Sequence, residues 1–140
     1  MISIDIPGFR KLKLRHLVLD YNGTLARDGR LLPGVARMLA ELATDIHIHV
    51  ITADTFGEAR KQLARLPVDV VIIPTRSQAE AKLKFLSKLG ARTAVAVGNG
   101  RNDRKMLKAA ALGVALVQTE GGAVETIASA DVVSANILDA

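Results

Sequence analysis

Short apolar runs that each end in a polar cluster recur along this chain, and they constrain its fold more than any other feature. Lys11 to Leu19 grows steadily more apolar and stops at Asp20. Ile46, Ile48 and Val50 alternate with His47 and His49 and stop at Thr52-Ala-Asp54. Val68–Ile73 is β-branched and closed by Pro74, Thr93–Val97 runs into Gly98-Asn-Gly-Arg-Asn-Asp103, and Val114–Val117 and Asp131–Val133 follow. Period-two alternation and β-branched content predict strands there. The intervening segments predict helices over Val35–Ala43, after Thr55, from Ser77 to about Leu89, up to about Ala111 and over Ala123–Ala128. Strands that alternate with helices pair in parallel through right-handed crossovers. The expected fold is therefore α/β, a Rossmann-like three-layer αβα sandwich with a mostly parallel sheet. At 140 residues the chain suits one domain over 1–140. Ligands of such sheets bind beyond the carboxyl ends of the strands, so Asp20, Asn22, Thr52, Asn99 and Asp103 are read as one site.

Local signals refine this outline. Ile2, Ile4 and Ile6 before Pro7-Gly8 predict a hairpin that feeds the first buried strand, and Asp28-Gly29 predicts a second, smaller hairpin. Thr55 with Glu58 and Ser77 with Glu80 have capping-box spacing; Asp54 and Asn102 read as helix-capping residues and Gly121-Gly122 as a loop. Cysteine is absent and no leader pattern is visible, so the cytoplasm is the expected location. The longest apolar stretch, around Ala109–Val117, falls short of the roughly 20 residues a membrane span needs. The formal charge of +5 favours anionic partners through its long-range field. Phe9, Tyr21, Phe56 and Phe85 are scattered and offer no stacking platform, which disfavours nucleic acid. The alternation in Arg10-Lys-Leu-Lys-Leu-Arg15 reads as a strand with one solvated face. His47 and His49 share a strand face, but two ligands fall short of the usual three or four of a zinc site, so they read as a packed or interface pair.

Four of these segments, taken in order, resemble the four motifs of the haloacid dehalogenase (HAD) superfamily. They are Leu17-Val-Leu-Asp-Tyr-Asn-Gly-Thr-Leu25, the Thr of Val50-Ile-Thr52, a lysine of Ala81-Lys-Leu-Lys84, and Gly98-Asn-Gly-Arg-Asn-Asp103-Arg-Lys-Met-Leu107. The likeness is strongest to the phosphorylation domain of P-type ATPases and its free-standing relatives. It implies a Mg²⁺-dependent phosphatase acting on a small phosphorylated substrate, with Asp20 attacking phosphorus to form an aspartyl-phosphate. The resemblance assigns Asp20, Asn22 (through its backbone carbonyl), Asn99 and Asp103 to the metal. It assigns Gly23, Thr24, Thr52 and Lys82 to the phosphoryl group, with Lys84 as the second choice of lysine.

Two departures from the family pattern carry consequences. Most phosphatases of the superfamily have Asp as general acid/base where this chain has Asn22, and Asp as metal ligand where it has Asn99. General acid–base help is typically worth about 10²–10⁴-fold, so Asn22 implies slow turnover. Asn99 removes a negative charge and implies weakened Mg²⁺ binding. Their joint loss also keeps open a catalytically silent domain that binds a phosphorylated ligand or protein partner. Only about thirty residues separate Asp20 from Thr52, and Thr52 from Lys82, which leaves no room for a cap domain at either insertion point. The site is expected to be open, with the Asp28-Gly29 hairpin as the one local element able to lean over it, and the family pattern admits a homo-oligomer.

Overall fold

The computed structural model describes residues 1–140. Ten strands and five α-helices follow one another in the order β1 (Ile2–Ile6), β2 (Arg10–Leu14), β3 (His16–Leu19), β4 (Ala26–Arg27), β5 (Arg30–Leu31), α1 (Val35–Leu42), β6 (His47–Thr52), α2 (Glu58–Leu63), β7 (Asp69–Ile72), α3 (Gln78–Leu89), β8 (Ala94–Gly98), α4 (Arg104–Ala109), β9 (Leu112–Leu116), α5 (Val124–Ser129) and β10 (Val132–Ser134). Six strands form one sheet in the order β10-β9-β8-β3-β6-β7, and every pairing in it is parallel. The β1–β2 and β4–β5 hairpins form separate antiparallel pairs.

Alternation along the strands divides the core into two layers. Leu19, Ile48, Val50, Val95, Val97 and Val114 face α1, α2 and the β1–β2 hairpin, whereas Val18, Ile51, Ala94, Ala96 and Ala115 face α3 and α4. Strands buried on both faces are what a parallel sheet requires, and the helices on each side supply the three layers. The apolar run from Lys11 to Leu19 is not one strand but two. It breaks at Arg15, so that β2 pairs with β1 off the sheet while β3 enters it beside β6 and β8. On β2 only Leu12 and Leu14 are buried, leaving the basic residues on a solvated face.

The capping boxes do not form. Ser77 stands before α3 in a left-handed conformation, φ 53°, with no side-chain cap bond, because an N-cap side chain reaches the first turn from extended backbone. Gly57 occupies the equivalent place before α2. There Asp54 acts instead, its carboxylate accepting from the Ala59 and Arg60 amides at 2.8 and 3.2 Å. Glu80 pairs with Lys105 at 2.6 Å.

The sheet and α4 approach each other tightly at Gly113 on β9. A Cβ there would fall inside the contact distance of the Leu107 carbonyl and its carbonyl carbon on α4, and helix backbone cannot yield as a side chain can. Gly113→Ala is expected to lower stability by about 1–3 kcal/mol, the usual cost of overpacking, read from the urea midpoint at unchanged m-value.

Candidate active site

β3 lies between β6 and β8, so the chain leaves it toward opposite edges of the sheet, and this switch point is where open α/β sheets hold ligands. The polar ends of the three strands meet there. Asp20 follows β3, Thr52 ends β6, and Asn99 follows β8. A polar cleft of about 860 Å³ opens above them, and only three of its 17 lining residues are hydrophobic.

Lys82 joins the site from below. It is 1% exposed on α3, and its Nζ donates to Asp20 Oδ1 at 2.7 Å and to Asp103 Oδ1 at 2.6 Å. Lys84, two positions along the same helix, is exposed and faces away. Burial alone would lower the Lys82 pKa, but the charges of Asp20 and Asp103 outweigh it and hold the ammonium above its ordinary value. Burial, and the charge of Asp20 beyond the lysine, push the Asp103 carboxyl up to about 7. The Lys82 ammonium thus lies between two carboxyl groups at the floor of the cleft.

Asp103 is placed differently from its expected part as a metal ligand. It is fully buried, with Oδ1 on Lys82 and Oδ2 accepting from the Asn99 and Gly100 amides at 3.1 and 3.0 Å. Every lone pair it presents to a donor is directed inward, and the cleft does not reach it. Gly98 makes the room, since a Cβ there would collide with the Asp103 carboxyl.

The expected cradle also shifts. The Gly23 and Thr24 amides close the turn by donating to Ala26 and Tyr21 carbonyls at 2.8 and 3.2 Å, so neither is free for an anion. The Tyr21, Asn22 and Ala53 amides, all lining the cleft, donate to no protein acceptor. Thr24 keeps a side-chain contact, its hydroxyl 3.4 Å from Asp20 Oδ2. Thr52 Oγ1 accepts from the Asp54 amide at 3.2 Å, which leaves its hydroxyl hydrogen available. Asn22 turns its side chain to the second hairpin, where Oδ1 accepts from Gly29 N at 3.3 Å. The buried Tyr21 hydroxyl donates to Gly29 O at 2.7 Å, and burial with the charges of Glu58 and Asp54 raises its pKa to about 12. These contacts hold the Asp28-Gly29 tip as one wall of the cleft.

Sequence reasoning passed over Glu120, which lines the cleft from the loop after β9. Nowhere do three His, Cys, Asp or Glu side chains converge as a ligand set, so a cation beside Asp20 has to draw on amide and carbonyl oxygens as well. The donors facing the cleft are oxygens: the Asp20 carboxylate, 13% exposed, the Asn99 amide and the Glu120 carboxylate. Hard oxygen donors without sulfur or imidazole fit Mg²⁺ or Mn²⁺.

At the opposite ends of the strands, His49 is buried while His47 is exposed. His16 on β3 supplies a partner that spacing did not reveal, with Nδ1 3.2 Å from His49 Nε2; Asp69 lies 3.5 Å from His49 Nδ1.

This is the fold of haloacid dehalogenase superfamily hydrolases, without an inserted cap domain. No protein-family model matches the sequence. An uncharacterized protein of Methanocaldococcus jannaschii is 41% identical over 68 residues, 46% of this chain and 73% of that one. The structure is similar to 3-deoxy-D-manno-octulosonate 8-phosphate phosphatase of Moraxella catarrhalis, solved with magnesium, phosphate and the sugar acid. That match has a TM-score of 0.68 and 17% identity over 87% of this chain and 76% of the other. It is also similar to a zinc-transporting PIB-type ATPase, with a TM-score of 0.64 and 27% identity over 77% of this chain and 17% of the pump. No helix of the chain is long and apolar enough to cross a membrane.

The buried charges and the histidine pair both bear on stability. Lys82→Met strands two carboxylates around a buried site, and breaking such a pair typically costs about 3–5 kcal/mol; urea unfolding should show a loss of that order, partly recovered by adding Asp103→Asn. Burial first, and then the neighbouring positive groups, lower the pKa of His16 below 6.5; burial likewise lowers that of His49. The folded state therefore binds fewer protons than the unfolded state, and this stability is complete above pH 6.5 and lost as pH falls toward the folded values. Between pH 7 and pH 5.5 the melting temperature of the wild type should fall further than that of His16→Gln/His49→Gln.

Proposed function

We propose that this chain is a slow, Mg²⁺-dependent phosphatase of small phosphorylated compounds, with Asp20 as the nucleophile. The observation that carries the reading is the position of Asp20. Its carboxylate stands at the switch point of the sheet, fixed by Lys82 on one oxygen and facing a polar cleft with the other. Three unoccupied backbone donors, on Tyr21, Asn22 and Ala53, point the same reading toward an anionic ligand.

Phosphoryl transfer asks a protein mainly for positioning and for neutralisation of charge. In the first half-reaction an oxygen of Asp20 forms a bond to phosphorus as the bond from phosphorus to the leaving oxygen breaks. Oδ2 suits this part, since its one contact is the long one from Thr24. Lys82 holds Asp20 in line and offsets charge. The Thr52 hydroxyl and the free amides hold the equatorial oxygens. Asp103 acts through Lys82, as a positioning residue. Asp20, Asn99 and the Asn22 carbonyl would hold a divalent cation, which would supply further charge neutralisation. The cleft needs it: Asp20, Asp28, Asp54, Glu58 and Glu120 line the opening against Arg30 alone, and an uncompensated acidic cleft repels phosphate despite the net charge of +5.

In the second half-reaction water attacks the same phosphorus, releases inorganic phosphate and returns Asp20. A base would accelerate that step, and the leaving oxygen of the first would gain from an acid. Asn22 can be neither, because an amide does not exchange a proton at neutral pH. Hydrolysis should therefore be slow and the aspartyl-phosphate long-lived. A second reading, a silent domain that binds a phosphorylated ligand or protein, is favoured by the amides of Asn22 and Asn99.

Hydrolysis of p-nitrophenyl phosphate with Mg²⁺ separates the two. Asp20→Asn is expected to abolish turnover, and Asn22→Asp, which preserves the acceptor for Gly29 N, to raise it by about 10²-fold, the lower end of acid–base contributions. Equal backgrounds for wild type and Asp20→Asn would establish the silent reading instead.

A further inference from the structure

We propose that Glu120 is an acidic ligand of the divalent cation at Asp20 and supplies the negative charge that Asn99 lacks. The inference rests on the phosphatase reading above and adds a residue outside all four motifs to its metal site.

The loop after β9 is docked onto the site at both ends. Gln118 Nε2 donates to the carbonyls of Gly23 and Thr24 at 3.1 and 3.0 Å, and its own oxygen accepts from Ile137 N at 2.9 Å, which fixes the amide's orientation. On the far side of Glu120, Asn99 Nδ2 donates to Gly121 O at 3.1 Å, and Ala123 N donates to Asn99 O at 2.8 Å. Four bonds thus tie residues 118–123 to the nucleophile turn and to the strand end that carries Asn99. Glu120 sits between these anchors.

Its carboxylate lies against Gly23. The space where a Gly23 side chain would begin is filled by Glu120 Oε2 and by the Asn99 amide, whose Oδ1 is 2.7 Å from that point. With Nδ2 committed to Gly121, the Asn99 amide oxygen is the atom left for a cation. Glu120 itself takes part in no salt bridge and accepts no hydrogen bond from the protein. An exposed acidic side chain that lies beside the Asn99 amide, over a glycine and without a protein partner, has the chemistry of a ligand for a small hard cation. Mg²⁺ takes one or two carboxylates with other oxygens completing its shell. Asp20 and Glu120 restore the pair of carboxylates that an Asp at position 99 would otherwise complete.

Isothermal titration with MgCl₂, and with MnCl₂ followed by electron paramagnetic resonance, tests this without reference to turnover. Glu120→Gln should weaken Mg²⁺ and Mn²⁺ binding by at least about tenfold, the lower end of the effect of altering a metal site's surroundings. Its melting temperature in EDTA should match the wild type. Adding Asn99→Asp to Glu120→Gln should restore affinity, since the charge returns from the other side of Gly23. If Glu120→Gln binds as the wild type does while Asp20→Asn loses the cation, the assignment of Glu120 is overturned and the phosphatase reading stands. If the wild type binds neither ion at millimolar concentration, both fall.

Discussion

The bridge that Lys82 makes between Asp20 and Asp103 organises the rest of the molecule. Placing an ammonium at 1% exposure is tolerable only with charged partners, because desolvating an ion costs several kcal/mol. Both partners stand at strand ends or on the turn that follows one, and Lys82 reaches them from a helix on the far side of the sheet. The position of α3 against β3 and β8 is therefore specified by an ionic contact as well as by the packing of Leu86 against Val18, Ala94 and Ala96. Asp103 uses both oxygens for this bridge and for the Asn99 and Gly100 amides, whereas Asp20 uses only one for it. The Asp20 oxygen that Lys82 leaves free faces the cleft.

Three glycines make this arrangement sterically possible. Gly98 leaves room for the Asp103 carboxyl, Gly113 for the backbone of α4, and Gly23 for the meeting of Asn99 and Glu120. Gly23 also adopts φ 79°, which an L side chain disfavours, so conformation and space make the same demand there. Gly23 of the Asp-Tyr-Asn-Gly-Thr segment and Gly98 of Gly-Asn-Gly are thus explained by what surrounds them.

Most of the architecture was legible in the sequence because strand and helix periodicities differ and each strand ends in a polar group. The second hairpin was visible in Asp28-Gly29, and of the two candidate lysines it is Lys82 that the fold brings to Asp20. What escaped depended on backbone geometry or on distant contacts. Capping-box spacing says nothing of the left-handed φ at Ser77. The motif Gly23-Thr24 does not disclose that its amides are consumed by its own turn, which moves the free donors to Tyr21 and Asn22. His16 and His49 are paired by strand register, His16 lying opposite His47, and Glu120 is brought to Asp20 only by the docking of Gln118 and Asn99. No local pattern encodes such contacts.

Asn22 shows how one residue can serve the scaffold and set the chemistry together. Its side chain accepts from Gly29 N while Tyr21 donates to Gly29 O, so consecutive residues after Asp20 hold both polar groups of one glycine at the tip of the hairpin wall. An Asp could make the same acceptor contact, so scaffolding does not account for the amide. The difference between the two is the proton. An aspartate there could exchange a proton with a ligand in the cleft, and the amide cannot. On the phosphatase reading proposed above, both half-reactions forgo acid–base help at this position, so the substitution bears on rate and leaves the binding groups of the cleft in place.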